Sequence, residues 1–417
     1  MNTIQTWRAS LALLTTRRFG TFWFASLLSS IGTWTQQVAE PWLLLALGAS
    51  PFLVGLNAFA MSAPGWLLTL AGGALADRKD RRMVIAIFQT IQMLCPAAIV
   101  VLLLLGAVTP WIIIGLSVVV GITDALSMPS FQSIVPSIVS HDQLARGIAL
   151  NTTQFNLSRM LGPAIAGVLM ASVGAVACFA VSAVSYIPFV GVALWILPRG
   201  VPRTTDSTPA VQHNTWRSIK QIWQQPHVRG ALLTVFVGCL LGAPLVTFTP
   251  ILVTQAFGGD ASVFSIAMTA FGAGGLLGAV ALLGVPSHVD RRHLSAYSAM
   301  MNGMIVVLIA LNPWQWGLPP LLVLASATMT ISLTAADVVL QATAPRVVLG
   351  QTVSLYLLAL SGGISLGALL TGVTVGWLGV QPALLVDGAL AVVVLLLVAR
   401  TWLRAPHAVA AVPIEAG

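Results

Sequence analysis

The sequence predicts an all-α membrane protein of twelve transmembrane helices, arranged as two repeated six-helix bundles, and three observations carry that prediction. Apolar residues fill 57% of the 417 positions and charged residues only 7%, whereas a soluble domain is about half apolar and a quarter charged. Mean hydropathy is +0.94. Of the 19 Lys and Arg residues, all except Arg159 fall at the termini, in alternate connections between apolar segments, or near the ends of those segments. The third observation is an internal repeat, which is sought before any fold is assigned. Pro41 and Pro250 lie 209 positions apart, as do the pairs Gln132/Gln341 and Pro136/Pro345. Asp80-Arg81-Arg82 recurs as Asp290-Arg291-Arg292 at an offset of 210, and Gly162, Gly167 and Gly174 recur as Gly367, Gly372 and Gly379 at 205.

A spanning helix needs about 20 mostly apolar residues. The first expected span, Phe19–Leu47, follows Arg8, Arg17 and Arg18 and stops at the uncharged connection around Gly48. Phe52–Leu75 runs from there to the charged stretch Gly73–Arg82, and Met83–Leu105 returns to Gly106. Trp111–Phe131 and Gly147–Met170 flank a connection bearing Arg146, and Ala175–Leu197 follows the turn at Val173. In the second half, Gly230–Thr254 leads to Gly259, Val263–Leu283 to the Asp290 repeat, and Leu294–Leu311 to Pro313. Leu318–Leu340, Val353–Val375 and Ala383–Leu403 complete the set, with Gly379 between the last two. Connections around Gly48, Gly106, Val173, Gly259, Pro313 and Gly379 contain no Lys or Arg, so the positive-inside rule puts both termini and the Gly73 loop in the cytoplasm. The expected domains are 1–198, a linker over 199–229, and 230–417. Pro202, Thr204, Thr205, Ser207 and Pro209 mark the linker as flexible. Trp216, Ile219 and Trp223 at its end suit either a surface helix or a lead into the next span.

Composition excludes several chemistries. A net charge of +8 would suggest nucleic acid in a soluble protein, but topology accounts for it here, and no nucleic-acid partner is expected. Cys95, Cys178 and Cys239 sit in apolar runs without metal-ligand spacing and are expected as free thiols. The six His residues fall in expected loops or tails, so neither a metal nor a cofactor is expected. The N-terminus lacks the pattern of a cleaved signal peptide. No Walker motif, HExxH or nucleophile elbow is present, so neither ATP hydrolysis nor a familiar hydrolase mechanism is expected.

Ionisable groups inside spans are costly and mark function by default. Here they are Glu40, Asp124, Arg159, Asp337 and Asp387. The repeat matches Glu40 with Thr249, Asp124 with Leu333, Arg159 with Ile364 and Asp337 with Met128, so these four charges are additions to a common scaffold. Asp124 and Arg159 fall centrally on the fourth and fifth helices and are placed to pair, as a structural clamp or as a cavity pair engaged during transport. Glu40 precedes Pro41 among Trp34, Gln36, Gln37 and Trp42, and suits either proton or substrate coupling or an outer interface. Pro41 and Pro250 are expected to interrupt the first helix of each half, a pointer to the substrate path. Asp337 and Asp387 lie nearer opposite membrane faces, where helix-end or interfacial roles are expected. Asn151 and Asn156 precede Arg159, and Gly162, Pro163 and Gly167 follow it; the glycines allow close helix approach and the proline bends its helix.

The spacing Gly73-x-Leu75-x-Asp77-Arg78-x-x-Arg81-Arg82 resembles the loop between the second and third helices of the major facilitator superfamily, with Asp80 where that family usually has glycine. The run Leu150-Asn151 through Asn156, Arg159 and Gly162-Pro163, with Ser30-Ile31-Gly32-Thr33-Trp34, resembles its enterobactin-exporter and macrolide-efflux branch. Ser117 stands where many drug antiporters carry Arg before Gly121, which shifts weight to Asp124 and Arg159. The resemblance implies a major facilitator fold, a monomer in the bacterial inner membrane, and outward movement of an amphipathic small molecule, siderophore or drug-like, in exchange for protons. It also implies that Asp77 contacts the start of the eleventh helix when the cavity faces outward, with Arg78, Arg81 and Arg82 bracing the same cytoplasmic gate. An uptake symporter or lysophospholipid flippase would share the fold. A membrane scaffold or sensor is the alternative of a different class, and a membrane enzyme is disfavoured because polar residues do not cluster at one interface.

Overall fold

In the computed structural model, the described residues are 12–140, 143–197, 223, 225–286, 289–343 and 349–403. They form twelve long helical segments: α1 (Arg17–Ala46), α2 (Pro51–Arg78), α3 (Arg81–Leu104), α4 (Pro110–Ile138), α5 (Leu144–Ser172), α6 (Ala175–Trp195), α7 (Pro226–Ala256), α8 (Ala261–Leu283), α9 (Arg291–Leu311), α10 (Leu318–Thr343), α11 (Leu349–Leu378) and α12 (Val380–Trp402). Each expected span falls on one of them. Ten are long and apolar enough to cross a membrane on that criterion alone; α1 and α5 are the two outside it. Their lower hydropathy comes from Gln36, Gln37 and Glu40 on α1 and from Arg146, Asn151, Gln154 and Arg159 on α5.

Helix starts follow local chemistry. Ser50 and Thr109 cap α2 and α4, each accepting from the backbone N–H three residues on at 3.4 Å, with Pro51 and Pro110 next in line where no N–H is needed. Gly174 and Gly379 precede α6 and α12 at φ 95° and 87°, a conformation that a Cβ would strain, so their match in the repeat has a backbone cause.

By internal contacts, α1–α6 and Val246–Ala273 form one compact unit, and the earlier part of α7 with the helices after Ala273 forms the other. In the first unit α1 packs on α5 and α6, α3 on α4 and α6, and α2 on α4; in the second the Pro226–Gly242 part of α7 packs on α11 and α12, and α9 on α10 and α12. Apart from α2 on α4, the pairs of the first unit thus recur at matching positions in the second. Gly162 of α5 meets Trp34 of α1, and Gly367 of α11 meets the Leu240 backbone of α7. Lipid tails supply little hydrophobic drive for helix association, so close approach at small residues holds such pairs. Aromatic packing fills the first unit, with the rings of Phe22, Phe131 and Phe189 5.3 to 5.8 Å apart.

The two prolines act differently. Pro41 lies inside a continuous α1, while α7 breaks near Ala243 and winds into a π turn, Leu252–Ala256, just after Pro250. The expected paired interruption therefore occurs only in the second half. Trp216 and Ile219 of the expected linker lie outside the described residues, and α7 already begins at Pro226, which places His227 in a helix rather than a loop.

Candidate functional site

The Ser30–Trp34 run of α1 is a contact strip inside the first unit. A Cβ on Gly32 would overlap Ser185 of α6, and one on Gly162 would overlap Trp34. Thr33 Oγ1 and the Tyr186 hydroxyl share a hydrogen bond of 2.7 Å, Thr35 Oγ1 donates to Gly162 O at 3.3 Å, and Gln154 of α5 bonds both Ser26 and Ser30 at 3.1 Å. Farther along α5, Pro163 is buried and frees the Arg159 carbonyl, while Gly167 leaves room for Ser265 and Thr269 of α8.

One turn beyond this strip lies Glu40, only 3% exposed. Gln36, four residues earlier on the same helical face, donates Nε2 to Glu40 Oε1 at 2.7 Å. Asn57 of α2 donates Nδ2 to Glu40 Oε2 at 2.9 Å, and Ser182 of α6 donates Oγ to Gln36 Oε1 at 2.8 Å. Glu40 is thus inside the bundle rather than at an outer interface. Among the described residues the ion pairs are Arg82–Asp80, Arg292–Asp290 and His293–Asp290, so Glu40 has amide donors and no cation.

A second polar chain leads to Asp124. Ser29 of α1 donates to Gln89 of α3 at 3.5 Å, Gln89 donates to Gln92 at 3.0 Å, and Gln92 lies near the Asp124 carboxylate. Asp124 is midway along α4 and exposed. Among the described residues the ion pair expected between Asp124 and Arg159 does not form: Arg159 is half-buried on α5 and Asp124 is exposed on α4. Asn151 is half-buried with no partner for Oδ1, and the side chain of Asn156 lies outside the described residues.

Of the remaining acids, Asp337 accepts from Gln341 at 2.9 Å. Asp387 is 7% exposed and accepts from Thr371 Oγ1 at 2.7 Å, so it joins α12 to α11 instead of sitting at a helix end. The repeat offset of 205 that links Gly174 to Gly379 also links Ser182 to Asp387.

The charged loop shows why Asp replaces glycine at position 80. Asp80 caps α3, accepting from Arg82 N at 3.0 Å, and Arg82 Nη1 donates to Leu194 O at 2.8 Å. Arg81 follows the cap in the first turn of α3. Asp290 caps α9 in the same manner at 2.9 Å and also takes two nitrogens of the buried Arg292, whose Nη1 meets His227 Nδ1 at 3.0 Å. Partial burial pushes the Asp290 carboxyl up, but the bonds from Arg292 outweigh it and hold the group at about 2. Gly73, Asp77 and Arg78 fall within α2, and the side chains of Asp77 and Arg78 lie outside the described residues.

Two six-helix repeats paired in this order, with carboxylates buried inside the spans, define a membrane transporter of the major facilitator class. The chain belongs to the transmembrane secretion effector family, whose model matches residues 8–416. It is 26% identical over 291 residues to the Staphyloferrin A transporter of Staphylococcus aureus (strain NCTC 8325 / PS 47), covering 69% of this chain and 72% of that one. It is likewise 26% identical over 319 residues to the multidrug efflux pump Tap of Mycolicibacterium fortuitum, covering 73% and 75%. Its fold matches a bacterial homolog of the human lysosomal transporter Spinster, at TM-score 0.68 and 17% identity over 94% of this chain and 100% of that one. The nucleoside transporter NupG matches at TM-score 0.70 and 14% identity over 94% and 100%. The protein is therefore a multi-pass membrane transporter of bacterial type acting on a small molecule, and not an enzyme.

The sequence pointed to Gln36 and Glu40 but missed Asn57, Ser182, Gln89, Gln92 and Tyr186. Single amides and hydroxyls in apolar runs give little signal. The repeat-related pair Ser182/Asp387 was the one available clue.

Proposed function

We propose that the protein exports an amphipathic small molecule, siderophore or drug-like, out of the bacterial cytoplasm by alternating access in exchange for protons. The observation that carries the proton half is Glu40: a carboxylate buried within a spanning bundle, held by two amides and lacking a cation, has the proton as its simplest neutralising partner. Asp124 supports the same reading, because an exposed carboxylate midway along a spanning helix is costly against lipid and belongs on a watered path. Arg159, with Asn151 and Asn156 before it, serves the substrate or the acid in another stage of the cycle, and Asp337 is a secondary polar contact. Gly73, Asp77, Arg78, Arg81 and Arg82 form the cytoplasmic gate, and Gly162, Pro163 and Gly167 shape the moving α5. The export half rests on the family and on the siderophore transporter and efflux pump among its relatives. The protein works as a monomer in the inner membrane, its bundles 1–198 and 230–417 joined by the linker 199–229, with both termini cytoplasmic as the Lys and Arg placement supports and without nucleic acid.

Everted membrane vesicles test this reading. With an acid interior, uptake of ethidium or of a carboxylate siderophore should depend on the chain and collapse when nigericin dissipates the pH gradient. Uptake indifferent to the gradient would contradict proton exchange. Accumulation of the same probes by intact cells would favour the uptake alternative.

A further inference from the structure

The Glu40 site contains one amide that is only half satisfied. Asn57, on the second turn of α2, is 4% exposed; its Nδ2 donates to Glu40, while its Oδ1 is buried without a hydrogen-bond partner. Gln36, the other amide, is engaged at both ends, donating to Glu40 at 2.7 Å and accepting from Ser182 at 2.8 Å. A buried polar atom left unpaired is costly, so the idle Asn57 carbonyl calls for an explanation.

Proton chemistry supplies one. An ionised carboxylate only accepts, whereas a carboxylic acid also donates and needs an acceptor. Gln36 cannot become that acceptor without reversing its bond with Ser182, whose hydroxyl would have to accept instead of donate. Asn57 can, because a half-turn of its amide about Cβ–Cγ exchanges carbonyl and amino ends. Resting on the proton-coupled reading above, we propose that Asn57 is a positioning residue that reports the proton state of Glu40 to α2, donating to the carboxylate and accepting from the acid. The proton arrives from hydronium in the aqueous phase, forms one O–H bond on Glu40, and later returns to water.

The helix that receives this report suits it. α2 packs chiefly on α4, which carries Asp124, and touches α1 at few places, so the Asn57–Glu40 bond is a distinct tie between α1 and the α2–α4 pair. At its far end α2 carries Asp77 and Arg78. The other titratable groups around Glu40 are Cys95 on α3 and Tyr186 on α6, and Tyr186 is also within electrostatic reach of Asp124 on α4. Arg159 of α5 forms no ion pair with it.

The test uses the proton as probe. Infrared difference spectra of the reconstituted full chain are recorded through a pH titration, and the carboxylic C=O band absent from Glu40→Gln is assigned to Glu40. In Asn57→Leu the frequency of that band should move, because its O–H has lost an acceptor. Its midpoint should rise by about one pH unit, since the lost bond to the ionised form is stronger than the lost bond to the acid. Asn57→Gln, which keeps the amide, should recover both in part. Asn57→Ser replaces the Leu variant if the latter does not insert, with a smaller shift in the same direction. An unchanged frequency and midpoint overturns the proposal while leaving proton coupling intact. A titration in which Glu40→Gln removes no band overturns the coupling role of Glu40 and this proposal with it.

Discussion

Asp80 and Asp290 cap α3 and α9 with the same backbone geometry, φ −63° and ψ 111° at one, φ −66° and ψ 112° at the other. They differ in how each holds the arginine two positions on. Arg292 is 6% exposed and bound to Asp290 through two nitrogens, whereas the guanidinium of Arg82 comes only within 3.9 Å of the Asp80 carboxylate. Asp80→Ala should therefore cost about 1 kcal/mol, the value of an N-cap. Asp290→Ala also removes the carboxylate bound to the buried Arg292 and should cost more, about 3–5 kcal/mol. Thermal unfolding of the two purified variants in detergent compares them directly.

The same site sets a pH dependence. Asp290 is held at about 2, below the ordinary carboxylate value, so its ionic contribution is fully present above about pH 4 and disappears as pH falls through its own value. Asp290→Asn keeps a capping oxygen but removes the charge. The stability difference between wild type and Asp290→Asn should be present at about pH 5 and should close as pH falls below about 4, as measured by thermal unfolding across that range.

Close helix approach predicts which glycines tolerate a methyl group. A Cβ at Gly162 would overlap Trp34, and one at Gly367 the Leu240 backbone, but nothing lies within 4 Å of a Cβ at Gly115. Gly162→Ala and Gly367→Ala should each destabilise by about 1–3 kcal/mol. Gly115→Ala should change stability by less than about 0.5 kcal/mol, with the same unfolding assay as the check.

Asp124 and Arg159 lack an ion pair, so removing either should not strand its partner as a broken clamp would. Asp124→Asn and Arg159→Ala should express and insert at near wild-type levels while losing export by roughly tenfold or more, which corresponds to ~1.4 kcal/mol. Severe loss of expression in both, restored in the double variant, would favour the clamp instead.

Helix number, order and repeat were legible from hydropathy, charge placement and the recurring Asp-Arg-Arg and glycine positions, because each is repeated chemistry with a backbone cause. The capping role of Asp80 was hidden, since the family resemblance presented it only as a missing glycine. Pro41 was misleading: a proline removes one hydrogen bond, and α1 tolerates that loss while α7 takes up a π turn. Asp387 looked interfacial from its distance to a helix end, but Thr371 of the neighbouring helix buries it. Asn57 was illegible, because its role comes from a contact between α1 and α2 that no spacing within either helix encodes.

The central claim is that Glu40 carries the proton that drives export, and Glu40→Gln tests it most directly. The amide occupies the same volume and cannot take up a proton at physiological pH. In everted vesicles the variant should bind and exchange substrate at equilibrium but fail to accumulate it against a gradient when the interior is made acid. Accumulation by well-expressed Glu40→Gln at the wild-type level, still abolished by nigericin, would contradict the account and move the coupling role to Asp124.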